Sequence, residues 1–476
     1  MLNNGFQGLP ISEVVPEAVA GMQEGLTKSS LLVSRRKIRF QPQTGTTASP
    51  NGIVQFVLAD SSSLLDVNSA TISFTVTTNS AGSASAPAAL DDGPSIFRRV
   101  QTSLNGNLVS DVDHAHRLCN MEVYASADRS WYQSAAGGFA GYWKFNPDLS
   151  TGVYPVTTGA AVGGAYNPAF GDIAGDITAV GTSTGTWFSA GTRHAAGEQR
   201  LVPLSLLDGF FRCKQYVPLN LLGELVVSFT LASNEEAFLN FSSTSGTYSL
   251  SDIFMECDVV QPHYALNEIM QKQANSEGEN GIVIPYEAAI VSQGQAITSG
   301  TSSVIVSRAT NNLRRCLYAQ QLTSGLSIQT FPSVSCFGFN STSNWQVRCG
   351  SLYFPSQPAT TAARMYGLLT SSYGDAVNDK PGIMNRLTYT QTSATIASTP
   401  LKLCYTDNFI VGYGFDAYKN TAGTNVLDAD GLSVLGMAGS QVVFQVSQTG
   451  SVSPIVALMA TRYLSLQNGT LKIVGV

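Results

Sequence analysis

Charge is what this chain has least of. Only 12% of its residues are Asp, Glu, Lys or Arg, too few to supply the wet faces of many long surface helices. Its 26 basic residues are outnumbered by 32 acidic ones, a formal net charge of −6. That balance excludes a broad electrostatic attraction for nucleic acid or anionic lipid. Cysteine supplies no framework either. Cys119, Cys213, Cys257, Cys316, Cys336, Cys349 and Cys404 are odd in number, widely spaced and free of any CxxC pair. Metal-ligand spacing is absent, and a reduced compartment fits better than a disulfide scaffold. No apolar run reaches the ~20 residues needed to span a bilayer. The amino terminus lacks the basic start and apolar block of a secretory signal. The expectation is a soluble protein made in the cytosol or nucleus and not secreted.

What is present is Gly, Ser, Thr, Val and Leu, a composition suited to many short strands joined by turns. The length, 476 residues, exceeds one core and predicts two domains of roughly 200 residues each. Ile96 to Ser126 shows the style. Val100, Thr102 and Leu104 fall on one face of an extended run, with Gln101, Ser103 and Asn105 on the other. Asn105-Gly106 marks a tight hairpin turn, and a return strand passes through Leu108 and Val109. Asp111 and Asp113 are candidate caps for a short helix from about His114 to Ala127, with Leu118, Met121, Tyr124 and Ala125 inward.

Residues 1–32 read as an arm. Ser12 can cap an amphipathic helix whose ragged apolar stripe is Val15, Val19, Met22 and Leu26. It either packs on its own domain, or latches onto a neighbouring subunit or the inner side of an assembly. Ser34 to Phe40, the most basic stretch, alternates as a first strand with a solvated face. Ile53 to Leu58 and Thr71 to Thr78 are clean strands, with Val54, Phe56, Leu58, Ile72, Phe74 and Val76 inward. SSSLLDVNS reads as their connector and residues 79–94 as a long exposed loop. Gly-, Ala- and Thr-rich residues 134–199, dotted with Trp143, Tyr154, Tyr166 and Trp187, read as a large insertion with short strands of its own. Pro203 opens a short helix ending near Gly209. Leu225 to Leu231 alternates again, and a further strand stops at Pro262. Tyr264 to Asn275 is helical, and SEGENG marks a linker.

The second half continues in the same style. Ile282 to Tyr286, Ser302 to Val306, Arg314 to Gln320 and Leu401 to Ile410 are strand candidates, with STSNW and QPATTAA as loops between them. SQVVFQVSQTG and a hairpin about Asn468-Gly469 close the chain. The halves do not align as a close sequence repeat, so any duplication is one of shape. The domain plan is an arm (1–32), a first body (33–262, insertion about 134–199), a linker (263–282) and a second body (283–476).

Several segments together resemble the double jelly-roll capsid proteins of double-stranded DNA viruses. That group includes the major capsid proteins of Polinton-like viruses, virophages and large nucleocytoplasmic DNA viruses, of the adenovirus-type lineage. The matching segments are the strand pair about LNGNLV with HRLCNMEVYAS, the run VPLSLLDGFF with KQYVPLNLLGELVVSFTLAS, the strand DIFMECDVVQPHYAL, and the closing YLSLQNGTLKIVGV. They span roughly residues 50–130 and 200–270 and the last twenty or so. The resemblance implies an all-β fold of two consecutive eight-stranded jelly-roll β-sandwiches, with short helices and a large loop insertion in the first. It implies a structural major capsid protein: a homotrimer of hexagonal outline, tiling an icosahedral shell in the virion, with minor capsid and penton proteins as further partners. The arm would face inward or clamp a neighbour, where it can meet an internal membrane or the genome. No catalytic site, cofactor or sequence-specific nucleic acid is implied.

The remaining constellations carry little chemistry. Gly181 to Gly185 matches GxSxG, but the strand before and helix after that a nucleophile elbow needs are missing. Asp113-His114-Ala115-His116 lacks a third metal ligand at useful spacing and reads as a helix start with one buried and one exposed imidazole. Asp91-Asp92 and Glu235-Glu236 read as turn and cap residues. Sequons at Asn240, Asn340 and Asn468 have no meaning without secretion. The candidate assembly contacts are Val15, Val19 and Met22 of the arm, and Trp143, Tyr154 and Trp187 of the insertion. The alternative is a minor capsid protein or a receptor- or glycan-binding jelly roll, stacking Trp143, Tyr166 and Trp187 on sugar. A jelly-roll hydrolase would need two placed carboxylates that are not evident.

Overall fold

The computed structural model describes residues 32–60, 63–80, 88–132, 134–142, 198–240, 246–275, 281–307, 310–323, 326, 334–373, 384, 389–390, 408–415, 432–434 and 441–474. Alternation decides the strands of the first half: β1 (Leu32–Phe40), β2 (Ile53–Leu58), β3 (Leu64–Ser80), β4 (Phe97–Leu104), β5 (Asn107–Val112), β6 (Glu198–Pro203), β7 (Leu225–Leu231) and β8 (Gly246–Pro262). In β2, in β7 and in β4 from Val100 onward every second side chain is buried, as a strand with one face on a core requires. The second half supplies β9 (Ile282–Gln293), β10 (Gly300–Val306), β11 (Leu313–Leu322), β12 (Asn344–Cys349), β13 (Leu352–Ala359), β14 (Ile410–Gly414), β15 (Val442–Gln448) and β16 (Val452–Gln467).

Pairing is antiparallel throughout these strands. The first half forms two sheets, β1-β8-β3-β6 and β2-β7-β4-β5; the second forms β9-β16-β11-β14 and β10-β15-β12-β13. Counted from the start of each half, both read 1-8-3-6 and 2-7-4-5. That is the jelly-roll order, in which strands distant in sequence lie side by side and two four-stranded sheets face each other. Both halves therefore share one topology without a sequence repeat. Phe74 of one sheet meets Phe97 of the facing one edge to face at 5.5 Å, and Tyr318 and Phe444 meet across the second sandwich with rings tilted by 30° at 6.3 Å.

The turns follow from local chemistry. Asn105 (φ 48°) and Gly106 (φ 77°) occupy the left-handed region that a two-residue hairpin needs, and Asn468 and Gly469 repeat the device at the closing hairpin. The basic strand β1 has its charges matched across the sheet. Arg35 pairs with Asp66 and Asp258, Arg36 with Asp60, and Arg39 with Glu256, so the stretch is a solvated, neutralised face.

The structure corrects several sequence expectations. LLDVNS is part of β3; the irregularity there is a bulge, held by Ser69, whose Oγ donates to the Asp66 carbonyl and accepts from the Asp258 amide. Residues 88–94 are no exposed loop: Ala88–Leu90 pairs with Phe238–Asn240, and Asp91 through Pro94 are buried. The helix α1 (Ala115–Ser126) is preceded by His114 at φ 51°, without a side-chain cap. Asp113 instead accepts the His114 amide, while Asp111 pairs with Arg99. Ala125 is only half-buried. Pro203 ends β6 and leads into two short 3-10 turns, Leu204–Leu206 and Gly209–Arg212. STSNW and QPATTAA run into β12, β13 and the helix α3 (Ala362–Ser372) rather than forming loops. Residues 401–407 lie outside the described residues, and β14 starts where the expected strand was to stop. The helix α2 (Tyr264–Ala274) stands as expected, with Leu266, Met270 and Ala274 buried.

Candidate functional site: the seam between the two sandwiches

β16 and the middle of β11 read as near-continuous apolar runs and are buried on both faces, as strands covered from two sides must be. One face of their sheet looks into the second sandwich. Across the other side, β9 packs on β5 and on the Gly209–Arg212 turn of the first. The chain brings its buried charge to this seam.

Asp208-Gly209-Phe210-Phe211-Arg212 is the hinge-pin of the arrangement. The Asp208 carboxylate accepts from the Phe210 amide (3.0 Å), Ser110 Oγ (2.8 Å) and Thr102 Oγ1 (2.8 Å), fixing the turn to β4 and β5. Burial raises its pKa, against the lowering effect of those three donors. Gly209 approaches the partner backbone so closely that a Cβ there would lie 2.4 Å from the Glu287 carbonyl oxygen. Phe210 and Phe211 are fully buried, Phe210 meeting the Tyr286 ring at 5.6 Å, and Tyr286 Oη donates to the Val109 carbonyl at 2.9 Å.

Arg212 then completes a four-membered ion cluster. Its guanidinium donates to both oxygens of Glu122 on α1 and to Glu287 on β9 (2.8 Å). Arg315 of β11 donates to Glu122 and Glu287, each at 3.2 Å, and lies 4.5 Å over the Tyr373 ring. Two guanidiniums face two carboxylates that are shielded from solvent, so charge balances inside the seam. Burial by itself would raise Glu287, but Arg315 and Arg212 outweigh it and hold the carboxyl below its ordinary value.

A second junction lies at Asp91-Asp92, which the sequence suggests are ordinary turn acids; both are wholly buried. Asp91 accepts from the Val334 amide (2.9 Å) and the Ser335 hydroxyl of the second half. Asp92 Oδ2 accepts from Tyr124 Oη (2.7 Å) and Tyr132 Oη (2.5 Å). Asn120 Nδ2 donates to the carbonyls of Asp92 (3.0 Å) and Val334 (3.3 Å). Gly93 (φ 73°) admits the packing, since a Cβ there would meet Asn120 Oδ1 at 2.3 Å. A third junction is Arg117, fully buried, which reaches Glu236 (3.4 Å) behind it and donates to Gln293 (3.0 Å) of β9 in front. Glu236 is therefore also more than a cap residue, whereas Glu235 stays exposed.

His114 and His116 are both buried, not one in and one out, with rings parallel within 8° and centroids 6.1 Å apart. Among the described residues no group of three or more His, Cys, Asp or Glu is placed to hold a metal ion, and no helix is long and apolar enough to cross a membrane. The six described cysteines are all buried. Val15, Val19, Met22, Trp143, Tyr154, Tyr166 and Trp187, the GxSxG stretch and most of SEGENG lie outside the described residues.

The arrangement is a pair of sandwiches of one topology, joined by largely buried ion pairs and hydrogen bonds. No family model and no curated protein matches the sequence. Solved structures do match. The Faustovirus major capsid protein superposes with a TM-score of 0.53 at 9% identity, over 96% of this chain and 99% of that one. A chain of the PBCV-1 virus capsid gives 0.52 at 10% identity, over 93% and 97%. A chain of the Sputnik virophage gives 0.51 at 15% identity, over 94% and 90%. Sequence likeness this low speaks for the fold alone, and the fold agrees with the strand order derived above: this chain is a double jelly roll of the kind that forms the Faustovirus major capsid protein.

Proposed function

We propose that the chain is a structural major capsid protein that self-associates into a homotrimer and tiles an icosahedral virus shell. The observation that carries this lies at the sheet rims. Edge strands are normally blunted by charge or proline because they invite pairing. Here β2 and β10, outer strands of two sheets, carry neither charge nor proline and leave Ile53 and Ile305 exposed, and the outer strands β1, β5, β6 and β13, which do carry charge or proline, still expose Val33, Leu108, Leu201 and Leu352. Rims of that kind on a low-charge protein call for cover, and copies of the same chain supply it. Three copies bring six sandwiches of one topology, which gives the pseudo-hexagonal outline, and obligate contacts of this type bury more than ~2,000 Å². The arm (Val15, Val19, Met22) and the insertion (Trp143, Tyr154, Trp187) add contacts between copies. Minor capsid and penton proteins fill the positions a trimer cannot, and synthesis takes place in the host cytoplasm or nucleus.

Substituting the rims tests this. Ile305→Lys with Leu352→Glu should shift the purified chain from trimer to monomer at least tenfold at equal concentration. Its unfolding free energy should stay within about 0.5 kcal/mol of the parent, as surface substitutions do. Light scattering and urea titration read the two quantities. An unchanged trimer fraction would remove the rims from the interface.

A further inference from the structure

The seam contains two kinds of charged junction, and they answer acid differently. At the first, Arg212 and Arg315 face Glu122 and Glu287 two against two, and the arginines hold the Glu287 carboxyl below its ordinary value. At the second, His114 and His116 lie stacked in the interior, and neither ring nitrogen of His116 has a hydrogen-bond partner. The charged groups around them come from every packed element: Asp113 from the preceding turn, Arg117 from α1, Arg98 from β4 and Glu236 from the Asn234–Ala237 segment, with Asp91 acting on Arg117 from farther off. Two guanidiniums are thus set against two carboxylates at 3.4–3.8 Å. With neutral imidazoles the group balances. Each proton taken up adds a positive charge beside carboxylates that already serve a guanidinium, Asp113 at 3.8 Å from His114 and Glu236 at 3.9 Å from His116.

This charge would arise at a contact between the sandwiches. Arg117 donates to Gln293 Oε1 at 3.0 Å, and Gln293 Nε2 passes the link to Ser453 Oγ at 2.9 Å. We propose that the His114–His116 pair is an acid-operated release for this contact, parting α1 from the end of β9 while the arginine–glutamate cluster still holds. The device belongs to a single chain and stands whether or not the chain assembles.

The direction follows from linkage. Burial, reinforced by Arg117, lowers His114 to about 4 and His116 well below its ordinary value. A base lowered in the closed state stabilises it fully above the open-state value of ~6.5 and loses that stabilisation as pH falls from there to the closed-state value. For His114 alone the closed form loses about 20-fold in population between neutral pH and pH 5.

Hydrogen exchange on the full chain, corrected for intrinsic rate, tests the release at pH 7.5 and pH 5.0. Peptides covering 113–120 and 289–294 should lose protection at least about 20-fold at pH 5. Peptides covering 209–213 and 313–318 should not, and His114→Gln with His116→Gln should abolish the pH effect. Unchanged protection in the parent, a uniform loss across the seam, or a variant that responds like the parent would overturn the proposal. If the double variant does not fold, the parent decides. Its opening must take up about one proton per histidine between pH 6.5 and 4, and an opening equilibrium flat over that range sinks the idea.

Discussion

Arg212→Ala is expected to cost about 2–3 kcal/mol of folding stability, below the ~3–5 kcal/mol of a fully buried ion pair because about a third of the Arg212 side chain is exposed. Glu122 and Glu287 would be left sharing Arg315 in a space that admits little water, with the two carboxylates repelling across the gap. Against a total stability of ~5–15 kcal/mol for a folded domain, that loss is enough to separate the sandwiches or unfold them. Arg212→Lys should fall between, keeping the charge but losing the fork that contacts both acids and the Ser205 carbonyl. Urea midpoints of the three proteins provide the measurement. The sign with pH is also fixed. Glu287 is a lowered carboxyl, so its stabilisation is complete above its ordinary value of 4.5 and is lost only as pH falls through its lower native value. The Arg212→Ala deficit should therefore be the same at pH 6 as at pH 8. A variant within 0.5 kcal/mol of the parent, on the scale of a neutral surface change, would mean the cluster does not brace the seam.

Asp92→Ala should be comparably severe. It leaves the buried hydroxyls of Tyr124 and Tyr132 without their acceptor, at about 1–3 kcal/mol for each unsatisfied group. Asp92→Asn keeps an acceptor oxygen and should cost less. The neighbouring Asp91→Ala removes the bonds to Val334 and Ser335 that tie the two halves, so its effect should appear in exchange of the 334–337 backbone before global unfolding. Near-ultraviolet circular dichroism reports the tyrosines and chemical denaturation the cost. Full retention of both signals in Asp92→Ala would contradict the assigned bonds.

The strands were legible wherever one face met water. Val54, Phe56 and Leu58, or Leu225, Val227 and Phe229, announce themselves because the residues between them stay partly wet. Asn105-Gly106 and Asn468-Gly469 announce the turns for a reason confined to two residues. β12, β13 and α3 escaped because prolines at 355 and 358 interrupt the pattern and β13 buries little of either face. The seam escaped for a different reason. Glu122, Arg212, Glu287 and Arg315 are scattered along the chain, each an unremarkable charge in its own window, and only the fold brings them together. Asp91-Asp92 looks like a turn for the same reason: its partners at 334 and 335 lie more than two hundred residues away. DGFF in the resembling segment was the one sequence pointer to the seam, and it stands there because Gly209 and Phe210 press on β9.

The mass and outline of the purified chain in solution test the central claim most directly. Light scattering should give three copies of the 50.4 kDa chain, and electron micrographs should show hexagonal particles that join into sheets or shells. A lone subunit at micromolar concentration, with its rims bare and stable, would contradict it.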